Sequence, residues 1–168
     1  MIHKKISVKI GEHHPTAEIT TYMIGNSEEL YDGRLRPLII ICPGGGYEMT
    51  SDREAEGIAL KFMAMGYHAA VLRYSVKPAV YPTALLQLAA TVKYFRENAD
   101  KYYIDADKII TCGFSAGGHL VASYGNSWNK AQFTNNRVNG NEVCRPNAQI
   151  LCYPVISSGK YGHKESIE

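Results

Sequence analysis

Four stretches of this sequence are apolar almost without interruption and rich in β-branched residues: 37–42, 68–73, 108–112 and 148–153. A strand with one wet face alternates apolar and polar residues, whereas an unbroken apolar run of this length belongs to a strand covered on both faces. Helical patterns lie between the runs. Ser51-Asp52-Arg53-Glu54 has the spacing of a capping box, and Ile58, Phe62 and Met65 follow on one face until Gly66 stops the helix. After Pro82, a stripe of Leu85, Leu88, Ala89, Val92 and Phe95 predicts a second helix ending near Asn98. A third runs from Ala116 to about Tyr124. Buried strands alternating with helices predict an α/β fold with a mostly parallel sheet and helices on both faces. Ahead of it, alternation in 6–10 and 17–22 predicts an antiparallel strand pair turned at His13-His14-Pro15.

The 168 residues suffice for one core and are too few for two ordinary ones, so 1–168 is read as a single domain. An Asn-rich stretch, 126–147, reads as a surface excursion. The net charge of +2 is scattered along the chain, which gives no footprint for nucleic acid or an anionic membrane. No apolar run follows the basic N-terminus as a secretory signal requires, and none is long enough to span a bilayer. The four cysteines, Cys42, Cys112, Cys144 and Cys152, lack Cys-x-x-Cys spacing, and three lie in apolar runs. They read as reduced, structural thiols, with a cytoplasmic location expected. His3, His13, His14 and His68 have no metal-ligand spacing, and neither metal nor cofactor is implied.

The strongest chemical signal is Gly113-Phe114-Ser115-Ala116-Gly117, which follows an apolar run and opens a helical pattern. That context is the one a nucleophile elbow requires. A sharp turn forces the serine into a strained conformation, and side chains at the flanking glycines would clash with nearby backbone. The hydroxyl then stands clear of the sheet at the positive end of a helix. A chance Gly/Ser-rich turn is the bland alternative. The second signal is Pro43-Gly44-Gly45-Gly46-Tyr47, directly after the run ending at Cys42. Glycines let backbone N–H groups approach a substrate, and the N–H groups of Gly45, Gly46 and Ala116 are the expected oxyanion donors. A phosphate cradle is the competing reading, but the Gly-Lys-Ser/Thr ending is missing.

Together with Ser51, Arg53-Glu54-Ala55-Glu56, Val71-Leu72-Arg73-Tyr74-Ser75, Gly118-His119-Leu120 and Tyr153-Pro154-Val155, these motifs resemble the bacterial esterase group of the α/β-hydrolase superfamily, which includes acetylxylan esterases. The resemblance runs from about residue 37 onward. It implies an α/β-hydrolase fold and a serine esterase acting on small acyl esters, acetyl groups on sugars above all. The substrate would be a small-molecule or oligosaccharide ester. A peptidase on the same fold has little support, since no propeller or lid domain is visible.

The family orders its triad Ser, then Asp or Glu, then His, on loops after later strands. No Asp follows Ser115; the later acids are Glu142, Glu165 and Glu168, and the later histidines His119 and His163. Glu142 feeds the start of the run at Ala148, on the edge away from Ser115. His119 sits one turn into the helix and is expected to pack there. His163 lies on the correct edge and is the base candidate, although the family places its histidine later and a solvent-exposed or pocket-lining role is the bland reading. The family pattern continues for two more strands, so the chain is expected to be a C-terminally truncated form. It is then either an esterase completed by a separate C-terminal fragment, or an inactive fragment that folds and self-associates.

Overall fold

The structure, a computed structural model, describes residues 1–130 and 142–160. Six strands form one sheet: β1 (Lys5–Val8), β2 (Ala17–Tyr22), β3 (Arg36–Cys42), β4 (His68–Arg73), β5 (Ile104–Phe114) and β6 (Ala148–Cys152), in the order β1-β2-β4-β3-β5-β6. β1, β2 and β4 pair antiparallel, and β4, β3, β5 and β6 run parallel. Five helices accompany them among the described residues: α1 (Glu28–Tyr31), α2 (Glu56–Ala64), α3 (Thr83–Glu97), α4 (Ala99–Tyr102) and α5 (Ala116–Gly125).

The unbroken apolar runs divide between two cores because successive side chains of a strand point to opposite faces. On one face Leu38, Ile40 and Cys42 of β3 and Ala70 and Leu72 of β4 meet α3 and α5 through Leu88, Val92, Phe95, Leu120 and Tyr124. On the other, Ile39, Ile41, Ala69, Val71, Cys112 and Phe114 pack with Ala59, Ile58 and Phe62 of α2. Each isoleucine fully buried in this way contributes about 1.5–3 kcal/mol. The expected stripe of α3 is buried in full.

Several local expectations change. Ser51 makes no side-chain cap: residues Asp52–Glu54 form a 3-10 turn, and the Glu54 carboxylate faces the glycine loop instead. Met65 is not on the packed face of α2; it caps the helix and is 64% exposed, and Gly66 (φ 88°) ends the turn as expected. β1 stops at Val8, although Ile10 is still buried. β5 begins at Ile104, four residues before the apolar run, because Ile104 pairs with Arg36 across an irregularity in register; the polar Asp105, Asp107 and Lys108 disguise that start. β6 ends at Cys152, and its residues are half-buried or exposed, since it is the outer strand among the described residues. Its entry is held by Asn147, whose Oδ1 accepts from Arg96 and from the Ile109 N–H. Residues 131–141 of the Asn-rich stretch, and His163, lie outside the described residues.

Candidate active site

The C-terminal ends of β3, β5 and β6 are neighbours in the sheet, and the candidate residues follow them directly. Ser115 leaves β5 with φ 50° and ψ −116°, a conformation that costs a non-glycine residue on the order of 1–3 kcal/mol, and α5 starts at the next residue. The turn persists because its surroundings admit nothing looser. A Cβ on Gly117 would stand 2.1 Å from the Cys42 carbonyl oxygen, so α5 presses directly on the end of β3. The Ser115 N–H donates to the Cys152 carbonyl at 3.1 Å, and the Ser115 carbonyl accepts from Val155 at 3.3 Å, which extends the β5–β6 ladder through the turn. The serine is half-buried, and its hydroxyl has no hydrogen-bond partner among the described residues.

The glycine loop shares this edge. A Cβ on Gly44 would lie 2.9 Å from Ser115 Cβ and 2.8 Å from the Phe114 carbonyl oxygen. Its carbonyl groups are pinned: Pro43 accepts from the Tyr74 hydroxyl at 2.6 Å, Gly44 from Ser51 N–H at 2.8 Å, and Gly45 from Glu48 and Met49 at 3.0 and 3.2 Å. In a planar trans peptide the N–H points opposite to the carbonyl that precedes it. The bonds that hold Gly44 O and Gly45 O therefore also fix the directions of the Gly45 and Gly46 N–H groups, and neither N–H donates within the described residues. Ala116 opens α5, where the first N–H groups have no intrahelical acceptor.

Three residues that the motifs did not single out as functional complete the surroundings. The Tyr47 hydroxyl lies 2.9 Å from His119 Nδ1. Burial lowers the His119 pKa and raises that of Tyr47, which disfavours charge on either group, and His119 Nε2 lies 3.4 Å from Ser123 Oγ. His119 thus ties α5 to the glycine loop, packed as expected. The Glu54 carboxylate accepts from the Gly44 N–H at 2.7 Å and from the Tyr153 hydroxyl at 2.8 Å. Of the four non-glycine residues at positive φ among the described residues, three sit here, Tyr47 (58°), Ser115 (50°) and Tyr153 (37°), one after each of β3, β5 and β6. A tyrosine beside a glycine run, or a capping pattern whose glutamate has another use, carries no distinguishing mark in the sequence. Arg73 braces the same loop by donating to the Thr50 carbonyl at 2.8 Å and to Asp52 at 2.5 Å. Glu142 is on the opposite edge, before β6, paired with Arg145 at 3.4 Å. Among the described residues no cluster of His, Cys, Asp or Glu is arranged to hold a metal ion.

Comparison with known proteins adds context. The BD-FAE family model matches residues 29–156. The carboxylesterase Cest-2923 from Lactobacillus plantarum WCFS1 is 32% identical with a TM-score of 0.83, over 99% of this chain and 63% of that one. An acetyl ester-xyloside bifunctional hydrolase from Caldicellulosiruptor lactoaceticus is 33% identical with a TM-score of 0.76, over 89% of this chain and 53% of that one. Endo-1,4-beta-xylanase B of Butyrivibrio fibrisolvens is 35% identical over 136 residues, 79% of this chain and 21% of that protein. The chain therefore spans less than two thirds of each of these relatives.

Proposed function

The chain belongs to the BD-FAE family, with the α/β-hydrolase fold, and from that premise we propose that it serves a serine carboxylic-ester hydrolase acting on small acyl esters, acetyl esters of carbohydrates first. The observation that carries the reading is the strained turn at Ser115, beside a loop whose Gly45 and Gly46 N–H groups have no acceptor among the described residues and are held in fixed directions. Ser115 Oγ attacks the acyl carbon, and the N–H groups of Gly45, Gly46 and Ala116 take up the charge that develops on the carbonyl oxygen. The alcohol leaves with a proton, and water then releases the acid from the acyl-enzyme. His119 is engaged by Tyr47, so the proton of Ser115 passes to His163 or to a histidine of a complementing C-terminal segment. The likeness to the Caldicellulosiruptor acetyl ester-xyloside hydrolase and to the Butyrivibrio xylanase supports the sugar preference. Cys42 and Cys112 are buried free thiols in the sheet, which supports a reducing compartment such as the cytoplasm. No helix among the described residues is long and apolar enough to cross a membrane.

Hydrolysis of p-nitrophenyl acetate by the protein and by Ser115→Ala tests the reading. The expected result is turnover that the substitution reduces at least about a thousandfold. Equal rates in the two proteins would remove Ser115 from the chemistry, and absence of turnover in both would favour an inactive fragment.

A further inference from the structure

We propose that Glu54 is a positioning residue of the site, a strut whose carboxylate holds the glycine loop and the turn after β6 at a fixed spacing on either side of Ser115. The proposal rests on the reading of Ser115 as nucleophile. Each carboxylate oxygen has one partner: Oε2 accepts from Gly44 N–H at 2.7 Å, and Oε1 accepts from the Tyr153 hydroxyl at 2.8 Å. Both partners adjoin the serine. A Cβ on Gly44 would stand 2.8 Å from Glu54 Oε2 and 2.9 Å from Ser115 Cβ, so a single residue's width separates carboxylate and nucleophile. Tyr153 follows Cys152, whose carbonyl holds the Ser115 N–H, and its ring meets Phe114 at 5.9 Å between centroids.

The effect on the oxyanion donors follows from peptide geometry. The Pro43–Gly44 peptide is gripped at both ends, its carbonyl by Tyr74 and its N–H by Glu54. The next peptide is gripped at its carbonyl by Ser51, which belongs to the same short segment as Glu54. Glu54 thus sets the plane from which the Gly45 N–H is aimed. Gly44 is buried, so without the carboxylate its N–H would have no acceptor, and the loop would turn to find one. Bonds to an ionised acceptor are about twice as strong as neutral ones, which suits a strut.

The experiment compares wild type with Glu54→Ala, Glu54→Gln and Tyr153→Phe, reading kcat and KM on p-nitrophenyl acetate, Gly44 amide exchange by NMR, and the urea midpoint. Misaiming one donor should lower kcat of Glu54→Ala by about ten- to a hundredfold with KM changed less than about threefold. Glu54→Gln keeps an acceptor and should recover most of that loss, Tyr153→Phe should lose about threefold, and Gly44 exchange should quicken in Glu54→Ala. A purely structural glutamate would lower the urea midpoint and leave kcat of the folded variants within twofold, which overturns the proposal. If Glu54→Ala does not fold, Glu54→Gln and Tyr153→Phe decide: unchanged kcat and unchanged Gly44 exchange in both overturn it. If the wild type has no turnover, the inactive-fragment reading is favoured, and Gly44 exchange in the three variants still decides whether the strut exists.

Discussion

At Ser115 the backbone is held at φ 50° and ψ −116°, a region glycine enters freely and serine does not. Ser115→Gly should therefore be more stable than Ser115→Ala by about 1–2 kcal/mol, although both lose the hydroxyl. Urea unfolding of the two variants measures the difference; an alanine variant as stable as the glycine one would mean the turn stores no strain. His68 is a second residue with a reading of its own. It is fully buried at the start of β4, its Nδ1 accepts from Ile24 N–H at 3.2 Å, and burial with the nearby Arg36 charge lowers its pKa from 6.5 to about 4. Above pH 6.5 the ring is neutral in both folded and unfolded chains, and its titration costs nothing. Below that the unfolded chain takes up the proton first, so stability falls as pH drops from 6.5 towards about 4. The loss is at most about 3 kcal/mol. Urea midpoints across this range should decline in the wild type, and His68→Gln should flatten that part of the profile.

Among the elements, those that bury both faces were readable because their chemistry repeats. The runs of β3 and β4 could be nothing but covered strands, and the stripe of α3 fixes which side packs. Where one residue serves a distant partner, local pattern misleads. Ser51 and Glu54 have the spacing of a cap, yet the Glu54 side chain answers to Gly44 and Tyr153, and Tyr153 lies after a strand far along the chain. Ile104 was hidden for a similar reason, since its pairing with Arg36 is set across the sheet and not by its polar neighbours. Ser115 and the glycine loop were legible because their backbone geometry demands glycines at set spacings. The tie between Tyr47 and His119 was not, because neither residue needs a special neighbour in sequence.

On the scale of the whole molecule, the outer edge of β6 is where association with another chain is to be tested. Its Leu151 is 42% exposed, with Tyr153 and Ile156 exposed beyond it, and no strand pairs its outer edge among the described residues. Such an edge is a template for another strand. Sedimentation should reveal concentration-dependent association of the chain, and Leu151→Lys should weaken it; a monomer at all concentrations would rule this out.

The placement of the site at the ends of β3, β5 and β6 also has a meaning for synthesis on the ribosome. Ser115 emerges well before Cys152 and Tyr153, which hold its N–H and the Glu54 strut. A nascent chain that has just exposed the serine has its glycine loop but not the third wall. The bonds from Cys152 to the Ser115 N–H and from Tyr153 to Glu54 can form only after β6 has left the exit tunnel and joined the sheet, so these two restraints are the last that translation order allows the site.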